Sequence, residues 1–171
     1  MVDTHPGSTL KVDFKVKVAP SYKVGYIIRY GGYAKQNTWR AEIAQLERWA
    51  RKHKLRTGKR IMYFIDKWGE KPQNKRRSVA AVEIKGKAKP EGKIQIMKIP
   101  KQQVVSVTFD PDHFAADIVY YGIEGWLESS QYSQTSRSRE LYDGNPWTDR
   151  QAWANCEVQV PIKRIKRIPA A

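Results

Sequence analysis

The chain has 171 residues, a length for one domain or for two small halves sharing a core. Its hydrophobic content of 40% supports a packed interior, while no run approaches the roughly 18–20 apolar residues of a membrane span. Cys156 is the only cysteine, which excludes an intrachain disulfide and Cys-based zinc ligation, and the formal charge of +15 invites a polyanion as partner. Met1–Leu10 lacks the basic-then-apolar layout of a signal peptide, so a cytoplasmic setting is expected. The cations fall in runs: Arg51 to Arg60, Lys71 to Arg77, and Lys163 to Arg167. Such runs read first as solvated faces, with a nucleic-acid or protein partner as the alternative.

In chain order, the segment from Phe14 opens with alternating apolar residues and reaches Pro20. A strand follows, with Val24, Tyr26 and Ile28 alternating with Lys23, Gly25 and Ile27, and it ends at Gly31-Gly32. Asn37 and Thr38 are candidate caps for a helix whose stripe is Trp39, Ile43, Leu46, Trp49 and Ala50. A strand over Met62 to Asp66 is next, then a loop with Trp68 and Pro72, then a strand over Val79 to Ile84.

The same order returns after a Gly- and Pro-bearing linker at 85–92. Pro100 precedes a strand with Val104, Val105, Val107 and Phe109. Asp110-Pro111-Asp112 reads as a helix start, with Asp110 as the N-cap and Pro111 at the first helical position. The second stripe is Ala116, Val119, Tyr120, Ile123, Trp126 and Leu127. Then come a strand over Arg139 to Asp143, a loop with Pro146 and Trp147, and a closing strand from Cys156 to Ile162.

The chain is therefore read as a duplication, residues 14–84 and 93–162, within one domain spanning 1–171, with tails at 1–13 and 163–171. The expected fold is α+β: a duplicated strand-helix-strand-strand module forming a curved antiparallel sheet, two main helices on one face, and a cleft between the copies. The shift that aligns Trp49 with Trp126 also aligns Tyr63 with Glu140 and Asp66 with Asp143.

Several pieces in this order resemble the GyrI-like small-molecule-binding domain, also found as the effector-binding half of AraC- and MerR-type multidrug regulators. They are the proline-then-strand of each half, Ile28-Arg29-Tyr30-Gly31-Gly32, the helix with Leu46 and Trp49, and Glu140-Leu141-Tyr142-Asp143-Gly144-Asn145-Pro146 ahead of Glu157-Val158-Gln159-Val160-Pro161. The chain departs from the family at Asp143-Gly144-Asn145-Pro146, where an Asn-Asp pair is usual, and lacks the Gly-Pro-Tyr-like turn before the second helix. With no helix-turn-helix ahead of Phe14, it reads as a standalone member.

The resemblance implies a pocket with a carboxylate floor and aromatic walls, which takes amphipathic, aromatic or cationic small molecules. Glu140 is the candidate floor, sharing a strand face with Tyr142. Burial would raise its pKa, and an organic cation would offset that by charge and by cation–π contact. Candidate walls are Tyr63, Tyr142, Tyr30, Phe109, Tyr121, Trp68, Trp147 and Trp153, while Trp49 and Trp126 are assigned to the core. The bland alternative makes Glu140 an exposed strand residue paired with Arg139 or Arg137.

Some proteins of the family hydrolyse strained cyclopropane-bearing antibiotics. By that resemblance Glu140 is the catalytic base of an alternative hydrolase reading, with Tyr63 or Tyr142 donating to the developing oxyanion. His5, His53 and His113 show no metal-ligand spacing, and no cofactor is expected. Tyr63 and Glu140 are expected to face each other across a pseudo-twofold axis. The ligand and the oligomeric state stay open.

Overall fold

The computed structural model describes residues 12–31, 39–67 and 69–166. The elements are β1 (Lys15–Ala19), β2 (Tyr22–Tyr30), α1 (Arg40–Lys52), β3 (Arg56–Phe64), β4 (Arg77–Lys85), β5 (Gln95–Ile99) and β6 (Gln102–Phe109). They continue as α2 (Ala116–Ser129), β7 (Tyr132–Gln134), β8 (Arg139–Tyr142), α3 (Arg150–Ala154) and β9 (Cys156–Arg164). The fold is α+β, a curled antiparallel sheet with two main helices and the short α3.

The duplication is written into the strand order, β1-β6-β9-β8-β3-β4-β2-β5, with β7 added beside β9. Its two halves mirror each other about the β8–β3 pair. Each opening strand is given to the other copy: β1 pairs with β6, and β5 pairs with β2. Exchanging these strands stitches the copies into one sheet, whose two outer strands on this path are β1 and β5.

Side-chain alternation divides the sheet into two apolar layers. The helix-side layer joins Ile27, Met62, Ala80, Val82, Val105, Val107, Tyr142, Val158 and Val160 to Ile43, Leu46 and Trp49 of α1 and Val119 and Ile123 of α2. The opposite face carries a smaller cluster of Tyr22, Val24, Ile61, Val79, Ala81, Ile99 and Leu141. The stripe of α1 explains its seat, because Ile43, Leu46, Trp49 and Ala50 recur at helical spacing and all are buried. Burying one such leucine is worth about 1.5–3 kcal/mol. Gly25 permits the close seat, since a side chain there would strike the Trp49 ring. The helix begins at Trp39, whose φ is 68° and whose indole N–H donates to Ser78 Oγ at 3.0 Å. The expected caps Asn37 and Thr38 lie outside the described residues.

The second helix starts later than the sequence suggests. Asp110 does not cap it. Its side chain accepts from the Asp112 amide at 2.9 Å, and its carbonyl accepts from the amides of His113 and Phe114, so Asp110–Phe114 closes as a turn. The local side-chain bond competes successfully with helix initiation, and α2 begins at Ala116. The short α3, unforeseen in the sequence, is capped by Asp149, which accepts from the Gln151 amide at 2.9 Å.

Register corrects the expected pairing of Tyr63 with Glu140. Across the β3–β8 seam Met62 is opposite Glu140, and Tyr63 is opposite Arg139. Met62 pairs with Ala80 on β4 and Glu140 with Val158 on β9, the same step along the chain in each copy. Met62 is therefore the repeat counterpart of Glu140, and the pseudo-twofold axis runs through that pair. The shift taken from the helices fails because thirteen residues separate Trp49 from Met62 and fourteen separate Trp126 from Glu140. One extra residue sends Tyr63 to the opposite face.

Candidate functional site

The seam places four side chains in a square on the helix side, with Arg60 opposite Tyr142 and Met62 opposite Glu140. Glu140 is held from two directions. Tyr120, reaching down from α2, donates its hydroxyl to Oε1 at 2.9 Å, and Tyr142, on the same strand face, donates to Oε2 at 3.2 Å. The carboxyl end lies deep beneath α2, although the residue keeps part of its surface open.

Burial pushes the Glu140 carboxyl above its usual range, and the two phenol donors oppose the shift only in part. Burial and then the Glu140 charge raise the phenols of Tyr120 and Tyr142, so both remain neutral donors. The Cys156 thiol is raised too, chiefly by burial and next by Glu140, and stays protonated. Among the described residues no basic side chain pairs with Glu140. Arg60, one position along the same face, is spent on Glu47, donating through Nε at 3.1 Å and Nη2 at 2.8 Å. Asn145, in the loop after β8, donates to the same Glu47 carboxylate at 3.2 Å. Glu47 thus ties α1 to both sides of the seam and leaves Glu140 the uncompensated charge.

The aromatic surroundings are partly those expected. Tyr142 is buried and stacks on Trp153, with ring centroids 6.3 Å apart and planes at 7°. The Trp153 indole is fixed by donation to Asp112 Oδ1 at 3.0 Å. Phe109 is buried in the helix-side core beside Cys156, and Trp147 packs against that core. Three expected walls are elsewhere. Tyr63 packs on the opposite face, where burial raises its phenol to about 12. Tyr30 is 66% exposed at the end of β2, and Tyr121 is 72% exposed on the outer side of α2. Trp68 lies outside the described residues. Neither Arg139 nor Arg137 pairs with Glu140: Arg139 is on the other face, bonded to Gln159, and Arg137 donates to the Ile65 carbonyl.

Tyr120 is the site residue that the sequence reading left in the core stripe. A tyrosine on a buried helical stripe needs a partner for its hydroxyl, and that requirement was the available signal.

The fold is thus a curled antiparallel sheet symmetric about a seam, with a buried carboxylate among aromatic rings on its helix side. The chain belongs to the GyrI-like small-molecule-binding domain family, whose model matches residues 13–163. Among solved structures it is similar to the C-terminal domain of EcmrR, with a TM-score of 0.75 and 18% identity over 90% of this chain and 99% of that one. It is also similar to a hydrolase encoded by lin2189 from Listeria innocua, with a TM-score of 0.63 and 8% identity over 90% of this chain and 93% of that one. A third match is SAV2435 bound to tetraphenylphosphonium, with a TM-score of 0.54 and 11% identity over 88% of this chain and 94% of that one. At these identities the likenesses establish the fold. A search of curated proteins returns no match. No helix among the described residues is long and apolar enough to cross a membrane.

Proposed function

We propose that the protein binds lipophilic organic cations at Glu140, on the helix side of the seam. One observation carries the reading: a buried carboxylate that two phenols hold and no basic side chain neutralises. Such a charge is costly to bury without a counterion. A delocalised cation supplies the charge, and the rings of Tyr120, Tyr142 and Trp153 supply cation–π and stacking surface. Tyr120 caps the carboxylate, so a cation reaching Oε1 takes the place of that hydroxyl. The tetraphenylphosphonium seen on SAV2435 is a ligand of this chemistry and supports the choice of probe.

Titrating tetraphenylphosphonium while following tryptophan fluorescence tests the proposal. Binding is expected to weaken by about tenfold or more in Glu140→Gln, as loss of a desolvated charge contact implies. It should also weaken as pH falls through the raised Glu140 pKa, because the cation competes with a proton. Equal affinity in the wild type and Glu140→Gln would overturn the assignment. Hydrolysis of a strained-ring electrophile, assayed in the same two proteins, separates a catalytic use of Glu140 from binding alone.

A further inference from the structure

Alternation puts Arg139 on the face away from Glu140, and its surroundings there are unusual. The side chain is 4% exposed. Nε donates to Gln159 Oε1 at 2.8 Å, but the buried Nη2 has no hydrogen-bond partner. Its guanidinium carbon lies 5.9 Å from the centre of the Tyr22 ring, a contact that offers charge stabilisation and no acceptor. The carboxylate whose charge acts on it, Glu157, is engaged elsewhere, accepting from Lys17 at 2.9 Å and from Gln159 Nε2 at 2.7 Å. A guanidinium is always charged and presents a fork matched to a carboxylate. A buried, half-satisfied one is costly to keep.

Arg139 also lines a cavity of about 280 Å³. Arg137 lines it as well, and no acidic residue does. At the side of the cavity Arg137 donates to the Ile65 carbonyl at 3.2 Å and pairs with Glu70 at 3.7 Å. Apart from Ser136 the remaining walls are largely apolar, with Tyr63, Met97 and Ile99 among them. The combination is a cationic end on an apolar chamber.

We infer that the sheet carries a second small-molecule site, on the face opposite Glu140, which takes a monocarboxylate with an aromatic or aliphatic tail. The carboxylate completes the guanidinium fork of Arg139, and the tail fills the chamber between Tyr63, Met97 and Ile99. The two sites are back to back, since Glu140 and Arg139 are consecutive residues of β8, and they select opposite charges.

Calorimetric titration with naphthoate tests this on the full chain, with naphthamide as the uncharged match. Naphthoate is expected to bind at least about tenfold more tightly than naphthamide, the worth of a charge-assisted pair. Arg139→Gln should remove that preference. Arg137→Gln, at a half-exposed position, should weaken naphthoate without changing the fold, and Glu140→Gln should leave it unaltered. Saturating tetraphenylphosphonium should not displace naphthoate, which separates this site from the one at Glu140. Equal affinity for naphthoate and naphthamide, no naphthoate binding, indifference to both Arg139→Gln and Arg137→Gln, or competition with tetraphenylphosphonium would each overturn the inference.

Discussion

The two helices occupy equivalent places in the repeat and are seated differently. α1 lies close on β2, β3 and β4, burying Ile43, Leu46, Trp49 and Ala50. α2 buries Val119 and Ile123, leaves Ile118 and Tyr121 exposed, and has its backbone near that of the short β7. The space beneath it is spanned by rings. Trp126 stacks between Phe14 and Tyr132, with centroids 6.2 and 5.7 Å away, and Tyr120 reaches the seam. One copy of the module thus supplies a tightly packed core. The other holds its helix off on aromatic props, and the gap accommodates a carboxylate.

Matched core truncations test this contrast with the largest effect. Leu46→Ala is expected to cost about 4–5 kcal/mol and Ile123→Ala about 2–3 kcal/mol, the upper and lower parts of the range for such changes. The difference arises because a helix standing off the sheet can settle into the void. Urea unfolding of the two variants measures it, and equal losses would show that α2 is as firmly seated as α1. Amide exchange in α2 should likewise outpace that in α1.

Each copy also buries a carboxylate near the end of its central strand, with opposite electrostatics. Asp66, after β3, accepts from the Arg77 amide at 2.8 Å and from its guanidinium at 3.0 and 3.1 Å, and pairs with Lys71 at 3.1 Å. The hydrogen bonds from the Arg77 side chain, foremost, hold its carboxyl well below the usual range. Its contribution is therefore complete above an unfolded pKa of about 3.9 and is lost as pH falls further. Glu140 has a raised pKa, so its ionised form opposes folding, and that cost vanishes as pH falls through the folded value. Asp66→Asn should thus lower stability at neutral pH and flatten acid unfolding below about pH 4. Glu140→Gln should remove a stabilisation that the wild type gains on mild acidification. Stability curves against pH with the same slope in both variants would break the contrast.

The duplication was legible because strand alternation, helix stripes and the two prolines recur in order. What was not legible came from places where local chemistry or spacing differs between the copies. The Asp110 turn took a sequence that favours a helix start and postponed α2 to Ala116. A single extra residue between Trp126 and Glu140 replaced Tyr63 by Met62 as the counterpart, and alternation then carried Tyr63 away from the site. Alternation also carries Arg139 to the face away from Glu140, although the sequence reading kept it as a candidate partner of that carboxylate. Its lack of a partner depends on where Glu157 and Lys17 meet, which only the folded sheet determines.

The symmetry suggests the smallest and most discriminating change, Glu140→Met, which gives the second copy the residue of the first. Two opposing costs set the outcome. Removing the carboxylate relieves a desolvation penalty of several kcal/mol, and methionine fills similar space without polar demands. Against this, the hydroxyls of Tyr120 and Tyr142 lose their acceptor, at about 1–3 kcal/mol each. The expected net change in unfolding free energy is within about 1–2 kcal/mol at neutral pH. Binding of tetraphenylphosphonium should be abolished all the same. Adding Tyr120→Phe and Tyr142→Phe removes the stranded hydroxyls and should recover stability relative to the single variant. A loss beyond about 4 kcal/mol in Glu140→Met, not recovered by the two phenylalanines, would make Glu140 a structural keystone of the seam. Near-neutral stability with lost binding would mean that the second copy departs from the symmetry of the first for the sake of its ligand.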